Sequence, residues 1–297
     1  MKKNNLFSTL SLVAVSALAL NFQACSDEPT DDPGTNNNTG YTSSDQIASS
    51  NLVAKFSFEN NMDDAKGNIS DVSIKNNISY GTGAKGRCFM GTTDGYALYS
   101  NVGAAVSGMQ STTVATWVKT SNHADGAESW FQLLNDSNYW GNMFILQESG
   151  ADGNDSVRIK FTVCNWDAPV WNEQWMDLGG DNRLILGNNE WHHLVCTYDA
   201  VSSKAAFYVD GEEIAMPENV TDRFGDDPAN GGGPLGALKF NNATRFVFGC
   251  FDQNLPGNSP ASWMKHFDGG LDEFRLYDKA LAAADVKSLF DLELAGK

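Results

Sequence analysis

Residues 157–163 read VRIKFTV, and every second side chain in this stretch is apolar. Successive side chains of an extended chain point to opposite faces, so Val157, Ile159, Phe161 and Val163 share one side while Arg158, Lys160 and Thr162 share the other. One dry face and one wet face is the pattern of an antiparallel sheet rather than of a parallel sheet covered on both sides. The same alternation recurs at Leu52, Ala54, Phe56 and Phe58, at Phe207 and Val209, and at Phe246 and Phe248. Turn residues punctuate these runs at Asp94-Gly95, Asp210-Gly211, Asn230 to Gly233 and Gly269-Gly270. Many short strands with glycine-rich corners predict an all-β fold, a sandwich of two antiparallel sheets. Only near the C-terminus does the period change. There Leu281, Val286, Leu289 and Phe290 fall on one helical face with Asp285 in the first turn, which predicts a short helix covering a sheet.

The 297 residues are 41% hydrophobic and 11% aromatic, with 28 glycines. That apolar mass suffices for one large core or two small ones. The formal charge of -17 makes the surface anionic, which repels phosphate backbones and argues against nucleic acid as a partner.

Lys2 and Lys3 precede the apolar run Leu6 to Leu20, which is short for a bilayer span and has the proportions of a secretory signal peptide, assigned to residues 1–24. Ala24-Cys25-Ser26 resembles the lipobox of bacterial lipoproteins, which implies lipidation of Cys25 and an outer-membrane anchor. The other reading is a soluble secreted protein cleaved nearby. Residues 25–50 are polar, rich in Ser, Asp, Asn, Pro and Gly, and read as a flexible tether. Ser26-Asp27-Glu28 resembles the acidic export signal of Bacteroidetes-type lipoproteins, which implies exposure at the cell surface.

Five segments, in order, are similar to LamG-like (laminin G-like) jelly rolls of the concanavalin A-like lectin and glucanase group. They are LVAKFSFENNMDDAKGN (52–68), GAKGRCFMGTTDGYALY (83–99), TTVATWVKT (112–120), EWHHLVCTYDAVSSKAAFYVDGEEI (190–214) and FDGGLDEFRLYDKALAAADVKSLF (267–290). The resemblance implies a two-sheet jelly roll with a short C-terminal helix over residues 51–294. It also implies that His192-His193 is a structural pair, and that the helix, capped in the family by Ser or Thr, starts here on Ala282 and frays more easily. Trp117 and Trp191, in strand patterns, are expected to fill space in the core.

Residues 130–175 match the family least and hold Trp130, Tyr139, Trp140, Trp166, Trp171 and Trp175 among Asn, Asp, Gln and Glu. The run WDAPVWNEQW (166–175) lacks clean alternation and reads as a loop. Indoles stack on the C–H faces of sugar rings while amides and carboxylates bond the hydroxyls, so these six aromatics are the candidate ligand-binding set. A hydrophobic cluster beneath a long insertion would use the same residues.

Three functions fit this pattern. The first is a non-catalytic surface lipoprotein that binds a polysaccharide or other glycan. The second is a glycoside hydrolase or lyase, since relatives on this fold cleave polysaccharides. Hydrolysis needs two carboxylates about 5–10 Å apart; the E-x-D-x-x-E signature of the glucanases is missing, and Glu173 and Asp177 are the only tempting pair. The third is an adhesin for a host protein, which the fold permits without further sign.

A structural calcium is the one cofactor considered. Neighbouring first and last strands would bring Glu59, Asp63 and Asp64 near Asp272, and hard oxygen ligands suit calcium. Alternatively Asp272 and Glu273 simply accept hydrogen bonds from turn amides. Two motif matches are set aside: residues 81–86 (GTGAKG) satisfy G-x-G-x-x-G but lead into a strand rather than a helix, and Asp152 to Asp155 lack the spacing of a calcium loop. Cys88, Cys164, Cys196 and Cys250 lie in strand contexts and are expected as buried free thiols, although export would permit disulfides.

Overall fold

The computed structural model describes residues 40–148, 150, 154–167, 170–225 and 232–297, and of residues 166, 167, 170 and 171 the backbone alone. The signal peptide, Cys25 and most of the tether lie outside the described residues, as do the Asp152-Gly153 pair and Asn230-Gly231. The account below concerns the compact unit Asn38–Lys297.

In chain order the strands are β1 (Leu52–Phe56), β2 (Ile69–Asn76), β3 (Ser79–Thr82), β4 (Arg87–Met90), β5 (Tyr96–Val102), β6 (Thr112–Ser121), β7 (Ala127–Leu133), β8 (Met143–Gln147) and β9 (Ser156–Val157). They continue as β10 (Ile159–Asp167), β11 (Val170–Leu178), β12 (Leu184–Ile185), β13 (Asn188–Asp199), β14 (Lys204–Val209), β15 (Glu212–Glu213), β16 (Phe246–Phe248), β17 (Met264–His266) and β18 (Gly270–Tyr277). Three helices accompany them: α1 (Ala104–Ser107), α2 (Glu218–Thr221) and α3 (Ala283–Leu294). One eight-stranded sheet, here the back sheet, runs β15-β14-β13-β6-β18-β4-β3, with β1 also pairing β18. The second, the front sheet, runs β11-β10-β8-β7-β16-β5-β2, with β17 lying parallel to β7. Two facing antiparallel sheets of this kind form the jelly-roll sandwich that the alternation predicts.

The inner faces meet on phenylalanine. Phe248 stands edge-on to Phe56 at 4.9 Å and to Phe274 at 5.0 Å, and Phe131 reaches Phe274 at 5.0 Å. Edge-to-face contact sets the positive ring edge against the negative ring face, which adds to the stabilisation from burial. Val157, Ile159, Phe161 and Val163 are all fully buried in this core, as their spacing predicts. In β1 the alternation is broken by a register shift between Leu52 and Ala54. As a result Val53 and Ala54 both join the inner core, while Leu52 packs on the outer side of the back sheet.

That outer side is covered by α3, whose Val286 and Leu289 pack with Leu281 against Ala115, Val195, Tyr208 and Tyr277. Its first turn has no side-chain cap, and Ala282 offers only its carbonyl to the amides of Asp285 and Val286. Polar contacts fix the other end. The Glu293 carboxylate accepts from Arg275 Nε at 2.7 Å and from Trp117 Nε1 at 2.8 Å, with all three residues buried. Phe290 stacks on Trp117 at 5.5 Å, so Trp117 belongs to the packing beneath the helix. Trp191 is half-buried against Gly270, where a Cβ would lie 2.6 Å from its ring.

The folded unit begins earlier than residue 51. Ile47 is fully buried beside α3, and Ser44 and Asp45, in a 3-10 turn at Ser44–Gln46, accept from Arg275 at 3.0 and 2.8 Å. The polar composition of residues 25–50 concealed one docking side chain and two acceptors for a buried guanidinium.

The remaining turns follow their chemistry. Asp210 and Gly211 both take positive φ between β14 and β15, as a tight hairpin requires. His192 bonds Asp210 at 2.8 Å, and His193 is fully buried, its pKa pushed down to about 3 by burial. Residues 83–86 close the β3–β4 turn, with Gly86 at φ +70°. The four described cysteines are buried free thiols.

Candidate functional site

The front sheet turns its outer face away from the core, and there the aromatics gather. Pairing aligns Phe144, Thr162 and Trp175 in one cross-strand row and Leu146, Lys160 and Asp177 in the next. Met176, Leu178, Ile159 and Phe161 face inward. Residues 166–167 therefore end β10 and residues 170–175 open β11, paired antiparallel strands and not the loop expected from sequence. The alternation is present but inverted. The inward phase of β11 carries polar Gln174 and Asn172, which bond the carbonyls of Phe224 and Gly225, whereas an indole, Trp175, sits on the wet phase.

Two connections rise over this face. The first, between β7 and β8, brings Trp140 parallel to Phe144 at 5.9 Å and edge-on to Trp175 at 5.0 Å. The second precedes β17 and sets Trp263 against Trp140 at 6.0 Å, with its other flank on Phe251 at 5.9 Å. Trp140, Leu146, Glu148, Lys160, Trp175 and Trp263 line an open cleft of about 390 Å³. Trp140 and Trp175 are half-buried, while Trp263 keeps 40% of its surface exposed. Lys160 Nζ lies 5.6 Å from the centre of the Trp175 ring and is ion-paired with Glu148.

The six predicted aromatics separate accordingly. Trp140 and Trp175 line the cleft, and Tyr139 stands beside it, 41% exposed and 4.8 Å from Trp140. Trp130 does not belong there: it is fully buried and packs on Phe267 at 5.7 Å, because β7 is covered on both faces. The backbones of Trp166 and Trp171 pair with each other across these two strands, and their side chains lie outside the described residues. Trp263 was missed. It falls in PGNSPASWMK (256–265), where no periodicity marks it; the available signal was a lone large aromatic in a stretch too rich in Gly, Pro and Ser to bury it.

Glu173 and Asp177 sit four residues apart on one strand, so their backbones are about 13 Å apart at 3.3 Å per residue. This exceeds the roughly 5–10 Å carboxylate spacing of glycosidases. Both are also engaged. Arg158 clasps Asp177 through Nε at 2.8 Å and through Nη2, holding its carboxyl below the usual range, and Trp175 Nε1 donates to Glu173 at 2.8 Å.

The carboxylates considered for calcium are satisfied by backbone amides. Asp64 accepts from the amides of Lys55, Lys66, Asn68 and Ile69 at 2.8–3.0 Å, and Glu59 accepts from Arg87 N at 3.1 Å. Asp272 accepts from Lys85 N at 2.8 Å and Glu273 N at 2.9 Å, while Asp63 is exposed. Among the described residues no group of three or more His, Cys, Asp or Glu is gathered to hold a metal. A calcium cage would need several oxygens to turn from these amides and converge on one point. Burial instead raises the Asp272 carboxyl to about 8, so it holds its proton at neutral pH.

A jelly roll with an aromatic cleft on the open face of one sheet has the architecture of lectin-type sandwiches. The chain belongs to the concanavalin A-like lectin/glucanase superfamily, whose family pattern matches residues 91–287. Among solved structures it is similar to domain 4 of AbnA, an extracellular arabinanase from Geobacillus stearothermophilus, in complex with arabinotriose. The identity is 20% and the TM-score 0.51, over 80% of this chain and 98% of that one. It is also similar to the ligand-binding domain of botulinum neurotoxin serotype D in complex with N-acetylneuraminic acid (14% identity, TM-score 0.54, 84% of this chain and 52% of that one). A third is the binding domain of botulinum neurotoxin DC in complex with rat synaptotagmin II (15% identity, TM-score 0.55, 84% and 52%). The chain thus spans about half the length of the toxin domains it matches. At these identities the likeness is one of fold. No curated protein sequence matches the chain.

Proposed function

We propose that the chain is a non-catalytic carbohydrate-binding domain, displayed at the cell surface by a lipid on Cys25 at the outer membrane. The observation that supports it is the cleft walled by Trp140, Trp175 and Trp263 on the outer face of the front sheet. Three indoles at right angles and in parallel offer flat apolar surfaces to a sugar ring, and the lysine and carboxylates at the rim offer partners to its hydroxyls. Trp175 on its strand and Trp140 on its connection both pack against Phe144, and Trp263 packs on Trp140 and Phe251, so the rings are held in place before any ligand arrives, which lowers the entropy cost of binding. Two of the similar structures hold saccharides, arabinotriose and N-acetylneuraminic acid. The anchoring half of the reading is supported by the lipobox-like Ala24-Cys25-Ser26 after an apolar run.

Affinity electrophoresis through gels containing different polysaccharides tests the binding half. Retardation of the native protein, weakened about fivefold in Trp263→Ala, is expected, since a lost ring-stacking contact is worth on the order of 1 kcal/mol. Release of reducing sugar by the native protein would replace this reading with the hydrolase. Metabolic labelling with palmitate, lost in Cys25→Ser, checks the anchor.

A further inference from the structure

We infer that the cleft selects an uncharged saccharide through two adjacent hydroxyls, held by Lys160 and Glu148 acting as a donor–acceptor pair. The inference rests on the binding reading above and specifies its ligand. Lys160 and Glu148 line the cleft together with Leu146 and Trp175, and they are partners of each other. Their side chains keep 18% and 26% of their surface accessible, so the pair is fixed without being sealed. An ammonium offers donors only and a carboxylate acceptors only, whereas each sugar hydroxyl carries one of each function. Neighbouring hydroxyls of a pyranose or furanose can therefore bridge the pair, one accepting from Lys160 Nζ and the other donating to a Glu148 oxygen. The ring then lies along Trp175, over which Lys160 Nζ is already poised at 5.6 Å. The geometry is that of a charge-assisted clamp beside a stacking surface.

The same arrangement disfavours an acidic sugar. The ammonium is already matched by Glu148, and Arg158, a second cation on this part of the face, is clasped to Asp177. Glu173 accepts from Trp175 on the cleft wall and brings a further negative charge. A uronate or sialate entering the cleft would find Lys160 already engaged by Glu148, on a chain of formal charge -17.

Binding is measured on the full folded chain with three probes: neutral arabinan, neutral mannan, and polygalacturonate. Each is run at low salt and at about 0.5 M NaCl, where exposed charge interactions are largely screened. The expected result is retention by a neutral polymer that changes little with salt. Lys160→Gln and Glu148→Gln should each weaken it about tenfold or more, as expected for loss of a hydrogen bond to a charged group. The expected variants keep the native unfolding midpoint within the range of surface substitutions, since both groups are solvent-accessible. Retention by polygalacturonate that collapses in salt and is lost in Trp263→Ala would overturn the neutral-ligand inference while leaving the binding face standing. Neutral binding that both glutamine variants retain undiminished would equally overturn the role of the pair. No retention by any polymer would bring down the binding reading itself, and the inference with it.

Discussion

Glu293→Gln keeps the shape of the side chain and removes one charge, and the structure predicts a large loss of stability from that change alone. One carboxylate oxygen accepts from Arg275 Nε and the other from Trp117 Nε1, and Glu293 is inaccessible to solvent. A glutamine has one oxygen and one amide nitrogen, so one of these two N–H groups would face another donor. Arg275 would also lose one of its anions in a buried setting, although Glu273 and Asp45 would remain at 2.8 Å. Breaking one partner of a buried ion pair costs about 3–5 kcal/mol. For a domain of this size that corresponds to a fall in Tm of roughly 6–20 °C, at about 2–4 °C per kcal/mol. Asp291→Asn on the same helix is the control, because Asp291 is exposed and its ion pair among the described residues is with Lys287 one turn away. Its effect should stay below about 0.5 kcal/mol. Differential scanning calorimetry of the three proteins at pH 7 separates the outcomes. Equal midpoints for Glu293→Gln and Asp291→Asn would refute the claim that this network clamps the helix to the back sheet.

Asp272 titrates in the opposite sense to an ordinary paired carboxylate. Burial lifts its folded-state value from 3.8 to about 8, so between those values the unfolded chain has released a proton that the fold still holds. Stability then falls as pH rises through this window, by up to about 1.4 kcal/mol per pH unit. Asp272→Asn should flatten the urea midpoint between pH 5 and 8, and an unchanged slope would count against the raised value. The thiols of Cys88, Cys164, Cys196 and Cys250 are buried, and burial raises all four, Cys164 to about 12. Maleimide labelling followed by peptide mass analysis should find them unmodified at pH 7.5 until denaturant is added, and fast labelling of any one in the native protein would contradict its placement. Trp130→Phe should lower Tm, through the cavity left in a packed interior, while leaving polysaccharide retention unchanged.

The sandwich was legible because its interior is apolar in phase with the strand period. Val157 to Val163 alternate cleanly, since one side meets phenylalanines and the other meets water. The candidate site was legible only in part, because its chemistry reverses that rule. In β11 the wet phase carries Trp175 and the dry phase carries Gln174, whose polar atoms are satisfied by a distant carbonyl that no local pattern reveals. Trp130 misled for the converse reason: a strand covered on both faces loses its period, and an indole in the core looks the same in sequence as one in a cleft. Trp140 and Trp263 meet at 6.0 Å although more than a hundred residues separate them, and only the folded chain brings them together. The docking of Ile47 and Asp45 was hidden because one buried aliphatic and one paired acid do not change the composition of a polar segment.

The chain joins the domain at Ser44–Gln46, on the outer side of the back sheet next to α3, and the indole cleft opens from the outer side of the front sheet. Opposite faces of a sandwich look in opposite directions. The first folded turn and the cleft therefore lie on opposite sides of the sandwich. Peeling residues 44 and 45 away would strip the buried Arg275 guanidinium of a hydroxyl acceptor and of one part-exposed anion. One guanidinium in this way ties the first folded turn and the C-terminal helix to the same sheet.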